Sequence, residues 1–320
     1  MSKFAIAGIQ MHVTTQNNIA EMRKRLALLM HLYPWVEMVC FSELAAHGPA
    51  LPSAQAAGGD FDQAFADMAR QHRIWLQPGS YFERRNGRIY NAAPVFNPAG
   101  EEVARYDKMF PFTPYEEGVT AGTAPCVFDV PGVGRIGLSI CYDIWFPELT
   151  RTLASMGAEV LINPVNAAFV DRHADLACAR ASAAMFQMYV FHINGLLAGG
   201  NGYSQVIDPA GRLLHDGNVQ EEMIPLEVDF AEARRQCERG ICGARTKAQQ
   251  IEPIHPDDGS GLCCGSCDDC RKGQQLIIGC TMITAPVHHQ DYIRRSLRNR
   301  FVGHQLVAFE IRQRVDTPRE

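Results

Sequence analysis

Two hydrophobic periods alternate along the chain. In FAIAGIQMHV (4–13), VEMVCFSE (36–43) and AEVLINPV (158–165), apolar residues run almost unbroken between polar or turn-forming ones. That is the pattern of strands buried in a sheet. In NNIAEMRKRLALLMHLY (17–33), FDQAFADMARQHR (61–73) and DRHADLACARASAAMFQM (171–188), apolar residues recur three and four apart, which predicts helices packed by one face. IWLQPGSYFE (74–83) reads as extended. NAAPVFNPAGEEVARYDK (91–108), CVFDVPGVGRIGLSIC (126–141) and GYSQVIDPAGRLLH (202–215) each place Pro and Gly between apolar runs and predict hairpins. Strands alternating with helices, with hairpins inserted, predict an α/β fold in which helices cover mixed sheet.

Composition narrows the class. The 320 residues are 47% hydrophobic and 20% charged, as in soluble globular proteins. A net charge of -5 gives no reason to expect nucleic acid or an anionic membrane as partner, and no apolar run reaches the length of a membrane span. The opening MSKFAIAGIQMHV lacks the basic start, unbroken apolar core and cleavage site of a signal peptide, and reads as a first strand. Eleven cysteines without such a signal point to reduced thiols in a cytoplasmic protein.

Those cysteines define a boundary. Four precede residue 236 and seven follow it. Residues 1–235 hold 18 Lys and Arg against 25 Asp and Glu, whereas 236–320 hold 12 against 10. The expectation is a domain over 1–235 and a cysteine-rich extension over 236–320. In the extension, CCGSCDDC spaces Cys264, Cys267 and Cys270 as zinc ligands are spaced, against the alternative of a loop of free thiols. A basic amphipathic segment, QDYIRRSLRNRF, follows and reads as a solvated face.

Three residues of the first part form a chemical set. Glu43, Lys108 and Cys141 each stand at or just past the C-terminal end of an expected strand, the edge where open α/β sheets bind ligands. A thiol nucleophile needs a base, which a carboxylate raised in pKa by burial can be. A neighbouring lysine, with a helix opening near Pro147, would favour thiolate and stabilise an oxyanion.

The segments around these residues resemble the nitrilase superfamily of carbon–nitrogen hydrolases. FSELAAHG surrounds Glu43, RYDKMFPF surrounds Lys108, and GRIGLSICYDIWFPELTRTLASMGAEVLINPVNA surrounds Cys141. GYSQVIDPAGRLL and PLEVDF extend the resemblance over residues 3–235. It implies an α-β-β-α sandwich that pairs into at least a dimer through helices near 146–156 and 171–187. Glu43 is then the general base, Lys108 the electrostatic stabiliser and Cys141 the nucleophile, with the Tyr142 N–H in the oxyanion hole. A second glutamate is expected near the lysine. Glu116 and Glu117 both qualify, and an E-G-x-x-x-G pattern favours Glu117. Tyr115, Trp145, Asn166 and Phe169 are candidates for the pocket wall.

One departure stands out: Gln187-Met188 occupies the place where relatives commonly carry Glu-Asn. CYD followed by FPE resembles the amidase and carbamoylase branches of the superfamily, which implies an amide or N-carbamoyl substrate over a nitrile. The implied reaction is hydrolysis through a cysteine thioester, with no metal or organic cofactor required. Acyl transfer to an amine, nitrile hydrolysis, and a non-catalytic scaffold or metal-responsive protein are the rival readings.

Overall fold

The computed structural model describes residues 3–113, 115–168 and 172–239. Its first half runs β1 (Lys3–Gln10), α1 (Ile19–Leu32), β2 (Met38–Phe41), α2 (Asp60–His72), β3 (Trp75–Gln77), β4 (Tyr81–Arg85), β5 (Arg88–Phe96) and β6 (Glu102–Asp107). The second half runs β7 (Cys126–Val130), β8 (Gly134–Leu138), a 3₁₀ turn (Cys141–Trp145), α3 (Pro147–Ser155), β9 (Val160–Val165), α4 (Arg172–Phe186), β10 (Tyr189–Asn194), β11 (Gln205–Ile207), β12 (Leu213–Asp216), β13 (Glu222–Asp229) and α5 (Phe230–Arg239).

Two large sheets result. The first is eight-stranded, ordered β13-β1-β2-β3-β5-β4 with the two-residue strand Gln55–Ala56 at its edge and β6 paired to β5. The second is six-stranded, ordered β12-β11-β10-β9-β8-β7. Each has a parallel centre, β1-β2-β3 in one and β8-β9-β10 in the other, flanked by antiparallel strands. The central strands read as unbroken apolar runs because both faces are covered; all six residues of β9 are buried.

α1 and α2 lie on the first sheet through Met22, Leu26, Leu29, Phe61, Phe65 and Met68, which join Leu76, Tyr81 and Phe96 in one core. α3 and α4 lie on the second sheet, and the two sheets face one another. Gly8 of β1 marks how closely they approach: a Cβ there would stand 2.4 Å from Ile193 Cδ1 of β10. The layering is therefore helices, sheet, sheet, helices, as the resemblance implies. Among the described residues, no helix is long and apolar enough to cross a membrane.

Two expectations change. The helix expected over 171–188 stops short: α4 ends at Phe186, Gln187 turns the chain at φ +50°, and Tyr189–Asn194, for which no element was expected, is a buried strand. Gln187 is itself buried, and its Nε2 donates to the Ala184 carbonyl at 3.1 Å, so it closes the helix C-terminus. The stretch 74–96 also holds an additional hairpin, β4–β5, turning at Asn86-Gly87.

Candidate active site

The two sheets place Glu43, Lys108 and Cys141 together. Glu43 follows β2, and its N–H donates to the Val165 carbonyl at the end of β9, which ties the exits of the two parallel centres together (3.2 Å). Lys108 follows β6; its backbone N–H donates to the Asn91 carbonyl and its carbonyl accepts from Gly122 N–H, at 2.9 and 2.8 Å. The lysine side chain is 1% exposed and Glu43 3%.

Lys108 Nζ donates to Glu43 Oε1 at 2.8 Å and to Glu116 Oε2 at 2.6 Å. The second carboxylate is thus Glu116. Glu117 is exposed and stays outside the cluster. The reason is local: Glu116 N–H donates to the Phe112 carbonyl while Phe112 N–H donates to Glu116 Oε2, a closed turn that points this side chain, and not its neighbour, at the lysine.

Sequence reasoning missed Asn91. Its Nδ2 donates to Glu43 Oε1 at 2.8 Å and to Glu116 Oε1 at 2.7 Å, so one amide joins both carboxylates. The only available signal was an Asn opening an otherwise apolar strand segment, NAAPVF.

Electrostatics separate the two glutamates. Burial pushes Glu43 above the ordinary carboxylate range; Lys108 opposes this, and the charge of Glu116 adds to it. Glu116 is also buried, but Lys108, the Phe112 N–H and Asn91 hold it below its ordinary value. Burial works against charge on Lys108, yet Glu116 and Glu43 keep it firmly protonated.

Cys141 opens the 3₁₀ turn at φ +47°, a left-handed conformation that costs a residue with a Cβ about 1–2 kcal/mol. Its thiol lies close enough to Glu43 and to the Asn166 backbone for both to act on its proton affinity, and it acts in turn on that of Glu43. The residue taken whole is partly exposed. Burial and then the charge of Glu43 push its pKa well up, with Lys108 opposing. The expected pull of Lys108 toward thiolate is present, and burial outweighs it. Tyr142 N–H has no acceptor within a 3₁₀ turn that begins at Cys141.

The other candidates divide. Asn166 contributes its backbone, because its Nδ2 is spent on the Ala198 carbonyl at 3.1 Å. Tyr142 and Tyr115 both lie against Phe112, with ring centroids at 4.8 and 5.5 Å, in a partly exposed aromatic group that Trp145 extends. Phe169, Cys264, Cys267 and Cys270 lie outside the described residues.

A second buried polar cluster meets the 3₁₀ turn at Trp145. Asp175 accepts from Trp145 Nε1 at 3.2 Å, pairs with Arg172 and lies 2.9 Å from His192 Nε2; His192 Nδ1 meets Asn163 Oδ1 at 2.6 Å. Its negative charge adds to the rise in the Cys141 pKa.

The sequence profile of the family described as carbon–nitrogen hydrolase matches residues 5–236. The chain belongs to that family. It is similar to the chloroplastic omega-amidase of Arabidopsis thaliana, 33% identical over 55% of this chain and 52% of that protein, so the chain spans about half the length of that relative. It is also similar to the 2-oxoglutaramate amidase of Bacillus subtilis, 32% identical over 52% of this chain and 66% of the relative. Among solved structures, Saccharomyces cerevisiae Nit3, a nitrilase-superfamily member, superposes with a TM-score of 0.67 at 22% identity over 74% of this chain and 94% of Nit3. An amidase from Nesterenkonia sp. in complex with butyramide gives 0.65 at 21% identity over 72% and 93%. At these identities, the structural likeness speaks for the fold.

Proposed function

We propose that this carbon–nitrogen hydrolase cleaves the C–N bond of a small amide or N-carbamoyl compound through a thioester on Cys141. The observation that carries the reading is Lys108 Nζ held between Glu43 and Glu116 beside the Cys141 thiol. Two carboxylates whose proton affinities are driven apart divide the work. Glu43, raised, moves protons. Glu116, lowered, stays ionised and fixes the ammonium.

Glu43 takes the thiol proton as Cys141 Sγ bonds to the amide carbon. The oxyanion meets the Lys108 ammonium and the Tyr142 N–H; one such donor is typically worth ~10²–10³ in rate. Glu43 then gives its proton to the leaving nitrogen, the C–N bond breaks, and ammonia or an amine departs. Water loses a proton to Glu43 and attacks the thioester; the C–S bond breaks and the thiol recovers its proton. The atoms balance as amide plus water to acid plus amine, and no step calls on a metal or organic cofactor.

The names of the relatives, omega-amidase and 2-oxoglutaramate amidase, support an amide over a nitrile. The proposal includes a homodimer or larger homo-oligomer, working in the cytoplasm. An ammonia-release screen over simple amides, N-carbamoyl compounds and nitriles tests it, with Cys141→Ala as control. Release from amides or carbamoyl compounds, absent in the control, supports the reading; release from nitriles alone, or by the control, defeats it.

A further inference from the structure

The Cys141 backbone holds a conformation that a residue with a side chain adopts at a cost, and Lys108 comes from the other sheet. Something must fix both at once. One carboxylate touches both segments. Asp143 Oδ2 accepts from Ile140 N–H at 2.9 Å, while Asp143 N–H donates back to the Ile140 carbonyl at 3.0 Å. This reciprocal pair brackets Cys141 and closes the turn around it. The same carboxylate reaches across to the lysine segment. Oδ2 accepts from Tyr106 O–H at 2.7 Å, and Oδ1 accepts from Phe110 N–H at 2.9 Å. Tyr106 and Phe110 stand two residues before and two residues after Lys108. The Tyr106 hydroxyl oxygen also accepts from Met109 N–H at 3.3 Å, which fixes the residue following the lysine.

We propose that Asp143 is a positioning residue that clamps the lysine segment to the nucleophile turn and so sets where Lys108 and Tyr142 N–H stand relative to the Cys141 sulfur. The proposal rests on the thioester reading above and deepens it. The carboxylate is completely buried, and every contact named is with a donor. Only an acceptor with two oxygens satisfies them: an asparagine has the same shape, but its amide nitrogen would oppose an N–H or O–H. Burial pushes the Asp143 carboxyl up to about 7, with Lys108, Tyr106, Ile140 and Phe110 all opposing the rise. The clamp's charge therefore depends on those donors.

The reacting groups must be placed to within a fraction of an ångström, and a displacement of about 1 Å can cost ~10²-fold in rate. Two variants of the full chain test the clamp, assayed on whichever amide the wild type hydrolyses best. Asp143→Asn should lower kcat by ~10²-fold with KM within about threefold. Tyr106→Phe, which removes one donor and leaves the carboxylate, should lower kcat by a smaller factor in the same pattern. Thermal melts must show both variants folded at the assay temperature. Wild-type kcat in folded Asp143→Asn overturns the proposal while leaving the thioester reading intact. A loss in KM alone, or a kcat loss that only follows melting, overturns it too. Turnover by Cys141→Ala would instead remove the reading on which it rests.

Discussion

Glu43 and Glu116 face each other across one ammonium group and one amide, and their proton affinities move in opposite directions. Lys108 Nζ stands 2.8 Å from the first and 2.6 Å from the second, and Asn91 Nδ2 bonds to both. Burial dominates at Glu43, while the lysine and its companion donors dominate at Glu116.

Neutralising the two adjacent glutamates should therefore give opposite results. Glu116→Gln removes the counter-charge of Lys108 and should lower kcat/KM by ~10²–10³-fold, the range of lost electrostatic stabilisation. Glu117→Gln, at an exposed position, should stay within about threefold of wild type. Steady-state kinetics on one amide decide it; equal losses would place the second carboxylate wrongly.

The pH profile carries a sign. Glu43 must be ionised to accept the thiol proton, and its pKa is raised, so the acid limb of kcat/KM should lie above the ordinary glutamate value of about 4.3. Glu116 contributes to that rise through its charge. The limb should consequently move to lower pH in Glu116→Gln. For stability, the lowered pKa of Glu116 stabilises the fold above its ordinary value, and this contribution is lost as pH falls through the depressed one. The raised pKa of Glu43 works the other way: its contribution is present below the ordinary value and lost as pH rises through the raised one. An acid limb unmoved in Glu116→Gln would contradict the coupling.

Asn91→Ala should cost stability as well as rate. It leaves two buried carboxylates each one donor short, a loss of roughly 1–3 kcal/mol. Asn91→Asp should be worse, because it adds a third carboxylate where two already share one ammonium. Denaturant unfolding of the three proteins ranks them; Asn91→Asp as stable as wild type would deny the bridge.

Gly79 packs closely on the backbone of Ser42, the residue before Glu43. Its φ is +81°, and a Cβ there would meet the Ser42 carbonyl oxygen at 1.9 Å. Gly79→Ala should destabilise the fold by about 2 kcal/mol or more, from backbone strain and overlap together. Activity should fall further than stability explains, because Ser42 immediately precedes Glu43, the proposed base. Activity and melting temperature measured side by side check this.

Glu43, Lys108 and Cys141 were legible in the sequence because each ends a strand with a characteristic flank, and their residue types make one chemistry. Glu116 was not separable from Glu117. Adjacent acids in one loop differ only in which the turn on Phe112 aims inward, and spacing does not encode that. Asn91 was hidden because a polar residue at the start of a hairpin strand looks like an edge. β10 was hidden because its apolar run joins α4 with no Gly or Pro between them; Gln187 makes the break by adopting a left-handed conformation that Gly or Asn would have signalled. The balance of effects at the thiol could not be read from sequence either, since burial outweighs Lys108 only in the assembled site.

The central claim is a covalent acyl intermediate on Cys141, and intact-protein and peptide mass spectrometry after quenching with a slowly turned-over amide tests it most directly. The account predicts one acyl mass on the peptide containing Cys141. It also predicts no adduct and no turnover in Cys141→Ala, and strongly slowed formation of the adduct in Glu43→Gln. An acyl mass on another cysteine, or undiminished hydrolysis by Cys141→Ala, would contradict it.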